Sequence, residues 1–145
     1  MNKAFVREPD VTDELCPRCG AIGVPVQRSV VLRHVRDPAT VSIAEVANFC
    51  PSAGCDVVYF DMFERTVALP AVRTPVYPKA SDAPICACFG LTTEDIDRDL
   101  SEGVATRTKA CLMKARTAEA RCGELSPTGQ PCVAEVQRYF LRHKA

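Results

Sequence analysis

The chain has 145 residues, 47% of them hydrophobic and 25% charged, with 18 basic side chains balanced by 18 acidic ones. Those proportions are ordinary for a globular protein, and the charge balance leaves no cationic surplus for wrapping a phosphate backbone; disorder, membrane insertion and nucleic-acid binding are all disfavoured. The anomaly is nine cysteines.

No apolar run approaches the roughly 20 residues that span a bilayer, and residues 1–10 carry charges where a secretory signal has its apolar segment, so the expected location is the cytoplasm. A reducing compartment keeps thiols free, which turns clustered cysteines into metal ligands or redox groups instead of structural disulfides.

In chain order, residues 1–15 show little periodicity and are expected to be a loose lead-in. Cys16-Pro17-Arg18-Cys19-Gly20 belongs on a turn, and the valine-rich residues 24–32 predict a strand after it. Residues 38–47 predict a short helix capped by Thr40 and running through Ile43 and Glu45. Cys50-Pro51-Ser52-Ala53-Gly54-Cys55 precedes Val57-Val58-Tyr59-Phe60, a β-branched and aromatic run that suits a second strand, and residues 66–69 suit a third.

Prolines at 70, 75, 78 and 84 mark residues 70–84 as a linker, since proline fixes φ and lacks a backbone donor. Beyond it, Thr92 followed by Glu94 and Asp95 is a helix start, and Gly103 a stop. A second helical pattern covers 106–118, residues 126–129 make a turn, and a third helix begins near Cys132 with Val133, Val136 and Phe140 on one face. The expected fold class is α+β: a small β-rich zinc-binding module over 1–69, the linker over 70–84, and a short helical 2Fe-2S-binding module over 85–145.

Cys16 and Cys19 are spaced C-x2-C, and Cys50 and Cys55 C-x4-C. Short loops of this kind supply two ligands each to one tetrahedral zinc ion, with Gly20 and Gly54 giving the turns backbone freedom. The alternatives for the same residues are a rubredoxin-like iron and plain buried thiols. Four thiolates close the coordination shell, so such a site builds structure and leaves no position for a hydrolytic water.

The second half holds Cys86, Cys88, Cys111, Cys122 and Cys132. A 2Fe-2S cluster needs four thiolates, two on each iron, and amides of a tight loop before a helix could donate to the cluster sulfurs. The stretch Ile85-Cys86-Ala87-Cys88-Phe89-Gly90-Leu91-Thr92-Thr93-Glu94-Asp95-Ile96 resembles the opening of the bacterioferritin-associated-ferredoxin-type 2Fe-2S domain, a small helical module. That family usually closes its cluster with a C-x2-C pair, whereas this chain has Cys122 and Cys132 in a C-x9-C arrangement. With Asn48-Phe49-Cys50-Pro51-Ser52-Ala53-Gly54-Cys55 upstream, the variant resembles the amino-terminal region of the CopZ-type iron-sulfur copper chaperones, from about Cys16 to Phe140.

The resemblance implies zinc on Cys16, Cys19, Cys50 and Cys55, and a 2Fe-2S cluster on Cys86, Cys88, Cys122 and Cys132. It also implies soft-metal handling, with Cu(I) as cargo and a metal-transfer or redox protein as partner. The chaperones of that type continue into a heavy-metal-associated domain with an M-x-C-x2-C copper loop, a motif not found in these 145 residues.

Cys111 falls outside both quartets. Packing on a helix face is its ordinary reading, and an extra soft ligand for Cu(I) or Hg(II), with Met113 two positions on, is the alternative. His34 and His143 read as a packed or surface histidine and a solvated helix end.

No nucleophile with an adjacent base, phosphate loop or paired carboxylates points to catalysis, and no enzymatic activity is expected. The expected function is therefore metallochaperone-like handling of copper, or of mercury, with a one-electron cluster. An electron-transfer carrier or cluster-bearing redox partner with structural zinc is the alternative. A sensor that loses its cluster to oxidants is a third reading.

Overall fold

In the computed structural model, which describes residues 14–80, 82–117 and 119–144, a four-stranded antiparallel sheet is followed by a group of helices, an α+β arrangement. The expected loose lead-in falls mostly on residues 1–13, outside the described residues. Strand β1 (Val24–Gln27) runs straight into helix α1 (Arg28–His34), so the strand expected over 24–32 ends at Gln27. Val30 and Val31 are both buried, as is Val35. Val30 and Val31 enter the core from α1, and Val35, where the backbone is extended again, joins the same core just beyond the helix.

The helix expected over 38–47 is reduced to a 3-10 turn at Pro38–Thr40, capped by Asp37 rather than Thr40. The chain beyond it is committed to the sheet: the amide of Ala44 donates to Asp61, and β2 (Val46–Phe49) pairs with both β1 and β3 (Val57–Phe60). β4 (Thr66–Ala68) completes the order β1-β2-β3-β4.

Every residue of β3 is buried, and a register irregularity against β4 between Val57 and Tyr59 redistributes its side chains. Val58 and Tyr59 join the main core with Val26, Val31 and Val35, while Val57 and Phe60 pack beside Cys16, Cys50 and Cys55. Strict alternation cannot put Val57 and Phe60 on one side. A bulge can, because it re-aims residues on the distorted strand.

The proline-rich stretch is seated on the sheet half. Val72 and Val76 are buried in its core, the amide of Arg73 donates to the carbonyl of His34, and the Tyr77–Pro78 peptide is cis. Lys79 Nζ donates to the carbonyls of Ser52 and Cys55, at 2.8 and 2.9 Å, and so fastens this segment to the loop between the second pair of cysteines.

Helix α2 (Thr93–Ser101) opens with the expected cap: Thr92 accepts from the Asp95 amide and Asp95 accepts from the Thr92 amide, so two donors without helical partners are satisfied reciprocally. It packs on α3 (Thr106–Lys114) and α5 (Val133–His143), with the single turn α4 (Cys122–Leu125) between them. Ile85, Leu91, Ile96 and Val136 form a second core there.

The two halves meet through the segment between Cys122 and Cys132. Tyr59 Oη donates to the carbonyl of Pro127, His34 Nε2 contacts that of Leu125 at 3.1 Å, and Arg33 reaches that of Gly123. Gly129 approaches so closely that an added Cβ would lie 3.0 Å from Val30. Tyr59→Phe removes one of these bonds and leaves the ring in place. The expected cost is about 1 kcal/mol, read from chemical denaturation.

Candidate metal centres

Two turns of the same construction hold the first cysteine of each half. In one, the amide of Cys16 donates to the carbonyl of Ala21 and the amide of Gly20 to that of Cys16. In the other, the amide of Cys86 donates to the carbonyl of Leu91 and the amide of Gly90 to that of Cys86. The glycine four residues after the cysteine is left-handed in both, with φ of 76° at Gly20 and 71° at Gly90, a conformation that costs other residues. The turns differ in where the next sulfur stands: Cys19 is the fourth residue of the first, whereas Cys88 is the third of the second and Phe89 the fourth.

In the sheet half, Cys16, Cys19, Cys50 and Cys55 place their sulfurs within 4.8 Å of one another. Cys16 and Cys55 are 3.9 Å apart, and Cys19 and Cys50 3.5 Å. Zinc–sulfur bonds of about 2.3 Å in a tetrahedron give edges of about 3.8 Å, so the cage fits that ion. Cys16, Cys50 and Cys55 are buried while Cys19 is exposed, at the edge of the site.

Burial pushes the Cys50 thiol up to about 12 and raises that of Cys55. Cys19 goes the other way, to about 7: partial burial raises it, but the amide of Ala21 and hydrogen bonds from Cys50, Cys16 and Cys55 outweigh that. Cys19 is therefore the cage sulfur whose thiolate the neighbours stabilise. Thiolates are the metal-binding form, so affinity falls as pH falls.

Residues 13–73 match a family model described as a zinc binding domain, zf_CopZ. The zf_CopZ match spans all four cysteines of the cage, and that match and the tetrahedral spacing of the sulfurs both support zinc there. The fold is also similar to a crystal structure of the amino-terminal domain of CopZ from Archaeoglobus fulgidus. The TM-score is 0.70 at 24% identity, over 86% of this chain and 96% of that one. No curated protein matches the chain. No helix among the described residues is long and apolar enough to cross a membrane.

In the helical half, the mutually close sulfurs are those of Cys86, Cys111 and Cys132, again within 4.8 Å of one another and all buried. Cys86 comes from the turn, Cys111 from α3 and Cys132 from the residue capping α5. Spacing left Cys111 outside both quartets; the fold brings it into this one. Met113 is exposed, on the other side of α3 from Cys111.

Cys88 is half-buried and is not one of the three mutually close sulfurs, although its charge acts on Cys111 and on Arg121, the residue before Cys122. Cys122 opens α4, and its side chain lies outside the described residues. His34 and His143 are remote from both groups of sulfurs: His34 bridges the carbonyls of Val30 and Leu125, and His143 stacks on Tyr139.

The Cys86 thiol is held down at about 3 by hydrogen bonds from Cys111 and Cys132 and by the amides of Phe89 and Cys88. Cys132 is raised by Cys111, Cys86 and burial. Cys111 rises to about 12: its bond with Cys132 lowers it, but the bond with Cys86, burial and the charges of Cys86 and Cys88 prevail. Amide donors aimed at a buried sulfur suit a thiolate bound to an anionic metal centre. A cavity of about 470 Å³ between the two halves has Cys132 on its wall, beside Tyr77, Pro131 and Tyr139.

Proposed function

We propose that the protein is a metallochaperone-like, soft-metal-handling protein in which zinc fixes the sheet half and a 2Fe-2S cluster occupies the helical half. The observation that carries this reading is a second, separate group of buried cysteines, packed in its own apolar core and supplied with amide donors at Cys86. The residues that would hold the cluster are Cys86, Cys88, Cys122 and Cys132. The donor chemistry fits, since Cys86 and Cys132 are brought together and Cys88 shares the turn of Cys86.

A 2Fe-2S cluster held there would supply one-electron redox chemistry. This chain's own contribution is to exclude water around Cys86 and Cys132, to donate to the Cys86 sulfur from the amides of Cys88 and Phe89, and to fix the Cys122–Cys132 segment on α1 and Tyr59. The cargo is a thiophilic ion, Cu(I) foremost, exchanged with a protein partner in the cytoplasm, and the protein performs no catalysis of its own. The similarity to zf_CopZ and to the Archaeoglobus domain supports this reading.

Cys122→Ser tests it. Reconstituted anaerobically, the variant is expected to lose the visible absorption of the cluster while keeping its zinc; loss of zinc with retention of the absorption would overturn the ligand partition. Stoichiometric Cu(I) uptake separates cargo handling from plain electron transfer: reversible one-electron reduction with no copper uptake favours the carrier.

A further inference from the structure

Cys111 is a fifth thiol at a centre that needs four. Terminal thiolates of a 2Fe-2S cluster divide into two pairs, one pair per iron, so a compact triad is not their pattern. Cys86, Cys111 and Cys132 converge from three separate elements onto one point, all buried among Ile85, Leu91, Ile96 and Val136. Among the described residues the group is three sulfurs, whereas four cysteines converge in the first half.

Three sulfurs around one point suit a soft ion that accepts three-fold coordination, and sulfur-only donors in an apolar pocket select Cu(I) over hard cations. The turn geometry agrees. The fourth position, from which Cys19 joins Cys16, is occupied in the second turn by Phe89, so the partners of Cys86 at a single ion come from α3 and α5 instead of from Cys88. The cavity described above has Cys132, one of the three, on its wall.

We propose that Cys86, Cys111 and Cys132 form a three-thiolate site for one soft d10 cation, and that this site and the 2Fe-2S cluster exclude each other because both use Cys86 and Cys132. The exclusion rests on the cluster reading given above; the triad does not. Copper enters as Cu(I) and remains Cu(I), and any protons on the three thiols pass to solvent as it binds.

The test uses the full zinc-loaded chain, cluster-free and anaerobic, titrated with Cu(I) against a chromophoric Cu(I) chelator. Wild type and Cys88→Ser are expected to bind one Cu(I). Cys111→Ser and the apolar variant Cys111→Ala are expected to bind about 100-fold more weakly, with zinc content and helicity unchanged. X-ray absorption of copper-loaded wild type should show three sulfur neighbours and so reads the site without any substitution.

In cluster reconstitution, Cys111→Ser is expected to regain the visible absorption and Cys88→Ser to fail. Copper-loaded wild type should resist reconstitution until the chelator removes the ion. Undiminished copper binding by both Cys111 variants, or a two-sulfur absorption spectrum, overturns the triad. Loss of the cluster from folded Cys111→Ser, or growth of the cluster with copper still bound, overturns the exclusion. Failure of every protein to take up a cluster, with copper binding still dependent on Cys111, sinks the cluster reading and leaves the triad standing.

Discussion

Cys50→Ser is expected to release zinc and melt the sheet half in one step, leaving a chain that no longer shows cooperative thermal unfolding of that half. Cys50 is fully buried, and its amide bonds to the carbonyl of Val58, so a serine there puts a poor zinc ligand where no water can replace the sulfur. Structural zinc sites contribute about 10 to 16 kcal/mol of apparent binding free energy near neutral pH, whereas whole domains are stable by only about 5 to 15 kcal/mol. The two quantities are of the same size, so losing most of the first removes a share of stability comparable with the whole. Zinc stoichiometry by mass spectrometry and melting followed by circular dichroism check it together. A folded, zinc-free variant with a wild-type melt would show that the cage is incidental to the fold.

Asp99→Ala is expected to cost about 2 to 4 kcal/mol, through the buried donors it leaves unpaired, and to strike the helical half. Asp99 lies on α2 with its side chain fully buried, yet its work is done on α3. The residue capping α3, Ala105, has no side chain able to cap, and the Asp99 carboxylate takes over: it accepts from the Thr108 amide and hydroxyl, both at 2.8 Å, and from Arg107 at 2.9 Å. Alanine would strand two buried donors and unseat the helix that carries Cys111.

The pH dependence has a definite sign. Burial raises the Asp99 carboxyl, but the Thr108 amide, the Thr108 hydroxyl and the Arg107 guanidinium outweigh it, so the folded value lies below the ordinary aspartate value. The stabilisation is then complete above about pH 4, the unfolded value, and is lost as pH falls through the lower folded value. The difference in denaturation free energy between wild type and Asp99→Ala should shrink over that interval. A difference that stays constant down to pH 2 would rule out the carboxylate as its source.

Cysteine spacing made much of the first site legible, because a turn of two or four residues nearly dictates that both sulfurs meet one ion. The cap of α2 was legible for a similar reason: Thr92 and Asp95 are three apart, and the bonds are local. What escaped was decided by packing over long distances. Val30 and Val31 suit a strand by composition, and the core made them helical. β2 was hidden in Val46-Ala47-Asn48-Phe49, whose weak pattern is rescued by pairing on both sides.

Cys111 could be weighed as an extra soft ligand, but its spacing named no partner for it, and Asp99 gave no sequence signal. Each acts across helices, and nothing in the spacing of α2, α3 and α5 says which face of one meets the other. The left-handed glycines of the two cysteine turns were partly visible. Gly20 was expected to be permissive, whereas the matching role of Gly90 emerges only when the two turns are compared.

The contacts between α1, Tyr59 and residues 123–129 tie the two groups of cysteines to one another, and under the proposed metal occupancy they make the two centres thermodynamic partners. Tyr59 belongs to the strand packed beside the zinc cage, and the carbonyl it holds lies between Cys122 and Cys132. Whatever free energy zinc spends on ordering that strand also orders the segment that runs from Cys122 to Cys132, which the proposed ligand set uses at both ends. Linkage is reciprocal, so occupancy of the second centre must tighten the grip on zinc by the same factor. Maturation thereby acquires a direction: a chain loaded first with zinc presents a prepared second site, and a chain deprived of it presents thiols to whatever soft metal or oxidant arrives.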